Sequence, residues 1–82
     1  MNEPITNEAK EIAIRYYQPA QVLTKETPSG KQYFFDVKAG VSMAWVDPAD
    51  VPDLIARRGG CCNGQRQKYD YANQNAVDLW SR

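Results

Sequence analysis

Apolar and polar positions alternate from Glu11 to Gln18, with Ile12, Ile14 and Tyr16 on one face and Glu11, Ala13, Arg15 and Tyr17 on the other. That period of two predicts a strand with one buried face. Pro19 breaks the run. Gln21–Thr27 then reads as a second short strand through Val22 and Leu23, at a sheet edge because the proline beside it cannot donate to a ladder. Pro28-Ser29-Gly30-Lys31 is a turn, and Gln32–Lys38 follows with Tyr33, Phe35 and Val37 on one face and Phe34 and Asp36 on the other. Ala39-Gly40 turns the chain into Val41–Val46, where Val41, Met43 and Trp45 share a face. The core is expected around this hairpin.

After Val46 the pattern changes to a helix start. Asp47-Pro48-Ala49 predicts a turn, Asp50 an N-cap, Pro52 and Asp53 the first turn, and Leu54-Ile55 the buried edge of a helix about two turns long. Arg57 and Arg58 complement the negative end of its dipole, and Gly59 is expected to end it. Beyond the glycine-rich loop, Gln67–Tyr71 predicts another strand with Tyr69 and Tyr71 on one face. Asn73 caps a last helical segment, Gln74–Trp80, whose apolar side carries Ala76, Val77 and Trp80. So short a helix is marginal alone in water, so Trp80 must dock on the domain or on a partner. The fold class expected is α+β: a small twisted, mostly antiparallel sheet or partly open barrel, with one short helix and a C-terminal helical turn. Residues 11–82 form the single domain, and Met1–Lys10, polar apart from Ile5, reads as an N-terminal arm that is ordered only if something holds it down.

Composition narrows the function classes. At 82 residues the chain is near the lower size at which a core sustains a fold unaided, so help from a neighbouring subunit is plausible. Ten basic and ten acidic residues cancel, so any attraction for nucleic acid must be local. No apolar run approaches the length of a transmembrane helix, and the first ten residues lack the character of a secretion signal, so the expected place of synthesis and residence is the cytosol. With no histidine in the chain, the commonest general base and metal ligand are missing, and an enzyme is not expected.

The candidate chemistry sits in RRGGCCNGQRQK, residues 57–68. Four-ligand zinc sites need spaced cysteine pairs, whereas Cys61 and Cys62 are adjacent and single; a redox pair would have a Cys-X-X-Cys spacing at a helix N-terminus. The expectation is a tight turn with both thiols acting as small apolar groups and no cofactor or metal. Arg57, Arg58, Arg66 and Lys68 around the turn could contact phosphate, although the loop lacks the spacing of a Walker sequence. Tyr33, Phe34 and Phe35 could form a stacking platform, but core plus a protein interface is the preferred reading. Asp47, Asp50 and Asp53 recur every third residue, a spacing explained by turn and cap positions better than by a cation site.

The run VSMAWVDPADVPDLIARRGGCCNGQRQKYDYAN, residues 41–73, resembles small proteins encoded in tailed bacteriophages and prophages. In those a glycine-turn strand leads into an Asp-rich short helix, then Gly-Cys-Cys-X-Gly, basic residues and an aromatic strand. The resemblance rests mainly on Gly60-Cys61-Cys62 and Gly64 and leaves residues 1–40 outside. It implies a virion-associated or assembly protein, made in the host cytoplasm and bound in many copies to capsid, neck or tail subunits through its arm and exposed aromatic residues. No binding residues carry over from the family. The alternative expectation is a small regulatory adaptor that binds nucleic acid or a host protein through Arg57, Arg58, Arg66 and Lys68 of the basic glycine-cysteine loop. The candidate interaction residues under either reading are Arg57, Arg58, Cys61, Cys62, Arg66, Lys68 and Trp80.

Overall fold

In the computed structural model of the chain, which describes residues 5–59 and 66–81, the strand Val41–Val46 is buried along nearly its whole length. It is β4 in an antiparallel five-stranded sheet with β1 (Ile12–Tyr16), β2 (Val22–Leu23), β3 (Phe34–Lys38) and β7 (Tyr69–Tyr71), in the order β2-β3-β4-β1-β7. A two-stranded ribbon, β5 (Arg58–Gly59) and β6 (Arg66–Gln67), stands apart from it. Helices α1 (Val51–Ala56) and α2 (Gln74–Trp80) complete the fold. The architecture is α+β, with the sheet curled like half a barrel, as the sequence pattern predicts.

The strands are apolar on both faces because each helix covers one of them. Val51 and Leu54 of α1 join Ile14, Phe35, Ala44, Val46 and Tyr69 in one core cluster. On the opposite face Ala76 and Val77 of α2 pack with Ala13, Val41, Met43 and Ala72. The expectation of a single buried face on β1 is therefore corrected: Ala13 and Ile14, successive residues pointing opposite ways, are both fully buried. The strand is also shorter than Glu11–Gln18.

The arm is partly held. Thr6 pairs with Ile12, the Ala13 N–H donates to the Ile5 carbonyl at 2.9 Å, and the Asn7 side chain bonds both the backbone and the carboxylate of Glu11. Residues 5–10 thus fold back onto β1. Between β3 and β4, Ala39-Gly40 forms the predicted two-residue turn, with φ of +54° and +77°. Left-handed angles at both positions match the twist of the flanking strands, and only Gly40 adopts them without steric cost.

Helix α1 begins at Asp50 as expected, but the Asp50 side chain does not cap it. Asp50 itself has near-helical angles, set by the preceding turn in which its N–H donates to the Asp47 carbonyl. Its carboxylate, 1% exposed, instead accepts from Ser29 Oγ at 2.6 Å and from the Tyr33 hydroxyl at 2.8 Å. The Tyr33 oxygen in turn accepts the Asp47 N–H at 3.2 Å. This network ties the 24–33 connection to the start of α1. Asp47 keeps its predicted turn role, accepting from the Ala49 N–H at 2.9 Å, and Asp53 pairs with Arg57 at 2.7 Å. The helix ends because Arg57 is extended, not because of Gly59, which belongs to β5. The predicted strand Gln67–Tyr71 is divided at Lys68 between β6 and β7. Asn73 does cap α2, its side chain accepting from the Ala76 N–H at 2.8 Å.

Two measurements check these interactions. Ala39→Asn replaces a strained residue with one that tolerates the left-handed region, so it should stabilise the chain by about 1 kcal/mol in denaturant melts. Burial, followed by the bond to Asp50, raises the Tyr33 phenol to about 12. A phenol kept un-ionised only in the fold stabilises it fully below pH 10, the ordinary tyrosine value, and loses that contribution as pH rises through about 12. Bonds from Ser29 first, and from Tyr33, hold Asp50 below the usual carboxylate range, so its contribution is present above that range and disappears as pH falls. Tyr33→Phe should cost roughly 1–2 kcal/mol at neutral pH. It should also abolish the tyrosine-linked part of the alkaline loss of stability.

Candidate basic groove at the sheet seam

The two edge strands of the curled sheet, β2 and β7, face one another across a groove of about 370 Å3. Val22, Leu23, Thr24 and Lys25 form one wall, and Lys68 and Tyr69 the other. Arg57 and Arg58 stand at the end where α1 stops, and Tyr16 lies between the walls. The groove arises from element lengths. α1 ends at Ala56 and β2 has only two residues, so neither extends over this part of the face.

Among the described residues, four cationic side chains and no carboxylate line this groove. Arg57 is fixed through Nε and Nη2 on Asp53, at 3.1 and 2.7 Å. Arg58 donates through one nitrogen, Nη1, to the carbonyls of Ile55 and Arg57, which satisfies the free end of the helix as expected from the sequence. Lys68 marks the break between β6 and β7, where its carbonyl accepts the Tyr17 N–H at 2.9 Å.

Across Lys68 the groove continues into a second hollow of about 390 Å3. Tyr16, Lys68 and Tyr69 are shared by the two, and the second adds Tyr17, Tyr71, Arg15 and Asp70 along the β1 and β7 edge. Tyr16 lies 4.8 Å from Tyr17 and 5.3 Å from Tyr69 between ring centres, in tilted pairs. Such geometry is favourable for ring quadrupoles. Burial, then the neighbouring Tyr17, raises the Tyr16 phenol, and burial raises that of Tyr69 against a smaller opposing effect of Arg57. Both rings are therefore neutral at physiological pH, and the charge of the groove is that of its lysines and arginines. Tyr17 and Tyr71 are 38% and 44% exposed.

Of the residues singled out in the sequence, Arg57, Arg58 and Lys68 come together here. The backbone of Arg66 pairs with Gly59 in the β5–β6 ribbon. Cys61 and Cys62 lie outside the described residues. Trp80 is away from the groove and engaged within the domain: its indole N–H donates to the Asp36 carbonyl at 3.0 Å, and Lys38 Nζ sits 4.5 Å from its ring centre. It is the anchor of α2. Lys25 and the tyrosines were absent from the sequence-derived site, since nothing local connects residues 16–25 to residues 57–71.

A separate feature lies on the β2–β3 edge. Leu23 and Phe34 are cross-strand partners and are 61% and 55% exposed. Among the described residues no helix is long and apolar enough to cross a membrane. Compared with protein-family models, curated proteins and solved structures, the chain matches none.

Proposed function

We propose that the chain is a small non-catalytic structural subunit of a bacteriophage particle, docked on capsid, neck or tail protein through the β2–β3 edge. The observation that carries the docking is the exposed Leu23–Phe34 pair. Two large apolar side chains adjacent across the β2–β3 pair form a contiguous patch whose cover by protein is favourable, whereas single exposed apolar residues are ordinary. The assignment to a phage particle is supported by the resemblance of residues 41–73. With residues 5–10 fastened to β1, the attachment surface in this reading is the sheet edge and not a free arm.

Zero net charge suits a subunit packed repeatedly against other proteins, since a large charge of one sign would add repulsion between copies. The β2 edge also presents backbone groups that a partner strand can pair with. Burying Leu23 and Phe34 would then contribute much of the affinity, with the polar surroundings setting orientation.

The test is to produce the chain in cells growing the phage that encodes it, purify particles on a density gradient, and quantify the chain in the particle band. The wild-type chain should co-band in many copies per particle. Leu23→Ser/Phe34→Ser should lower occupancy by roughly tenfold or more, with an unchanged circular dichroism spectrum. A wild-type chain found only in the soluble fraction would refute the proposal.

A further inference from the structure

We infer that the seam between β2 and β7 binds single-stranded nucleic acid, with phosphates against Lys25, Arg58 and Lys68 and bases stacked on Tyr71 and Tyr17. This inference stands on the groove alone and does not depend on the particle-subunit reading. On a chain of zero net charge, the groove gathers Lys25, Arg57, Arg58 and Lys68 with no lining carboxylate among the described residues. Asp53 already engages Arg57, so the other three supply the uncompensated charge among the described residues. Lys25 and Lys68 come from opposite walls, so a phosphate chain lying along the seam would meet cations on both sides.

The rings distinguish this ligand from other anions. Tyr17 and Tyr71 lie beside the same groove, past Lys68, and both residues are more than a third exposed. Cations that track a backbone, next to aromatic faces on which unpaired bases stack, are the two parts of single-strand recognition. A simple phosphate or an acidic peptide would use the cations and leave the open faces of the rings uncovered. Duplex recognition fits less well. It generally places a helix or β-ribbon in a groove, and here both helices bury a face against the sheet while the cations line a recess. On the tyrosine side Arg15 and Asp70, cross-strand partners of opposite charge, offset one another, so that half carries no net positive charge and is left to the bases.

Fluorescence anisotropy with labelled oligo(dT) and oligo(rU) of about 12 nucleotides, titrated over a range of salt concentrations, tests the inference. The wild-type chain should bind, with affinity falling as salt rises. Each lost phosphate contact on a single strand lowers the log–log salt slope by about 0.7, so Lys25→Ala/Lys68→Ala should lower it by about 1.4. Lys10→Ala/Lys31→Ala, the same charge change away from the seam, should leave the slope unchanged. Tyr71→Ala and Tyr71→Leu should each weaken binding about tenfold while keeping the wild-type melting profile. Four results would each overturn the inference: no binding at low salt; equal weakening by the two lysine pairs; a duplex of equal length bound as tightly, with no effect of Tyr71; or polyglutamate displacing the oligonucleotide as well as unlabelled oligonucleotide does. The last would assign the seam to an acidic protein segment.

Discussion

The β1–β4 pair is the constraint on which the rest of this small domain depends, because it must be covered on both faces by helices that cannot stand alone. Helices of six and seven residues are below the length at which backbone hydrogen bonds sustain them in water. Each exists by docking on the opposite side of the same two strands. Large and small side chains alternate across the pair to allow this. Ile14 opposes Ala44 on the α1 face, and Ala13 opposes Trp45 on the α2 face. Each face thus offers one bulky side chain and one shallow position, and a short helix can approach closely enough to bury Leu54 on one side or Val77 on the other. Removing either helix would expose half of the strand pair's apolar surface, so the two faces are coupled through a single layer of backbone.

Features set by near neighbours were legible in the sequence. The Ala39-Gly40 hairpin, the edge position of Val22 and Leu23, the Asn73 cap and the overall α+β class follow from turn chemistry and periodicity within a few residues. What could not be read was set by distant residues. Asp50 looks like a cap in its local sequence, yet its carboxylate is taken by Ser29 and Tyr33, 21 and 17 positions earlier. Two-sided burial of β1 was hidden because Ala13, small and neutral in pattern, gave the second face no signal of its own. The basic cluster was visible as Arg57, Arg58 and Lys68. Its wall of Val22 to Lys25 and its tyrosines were not, since only the curl of the sheet brings the first strands to the last.

That curl leaves an unclosed seam. A barrel closes when its edge strands pair, but β2 has two residues and β7 three, and Tyr16, Val22 and Tyr69 pack beneath the gap instead of a ladder crossing it. Cations on both walls add mutual repulsion to this shortage of backbone, which favours an open groove in the absence of an anion. Lysines beside edge strands also have a simpler use, in discouraging edge-to-edge aggregation. Aggregation control accounts for Lys25 and Lys68 taken singly. It does not account for two arginines fixed at the same groove by Asp53 and by the carbonyls closing α1, since a gatekeeping charge works best extended into solvent. Nor does it account for Tyr17 and Tyr71 beside them, because exposed rings promote the very association that edge charges oppose. The proposed ligand, both anionic and aromatic, accounts for the fixed arginines and the accessible rings together.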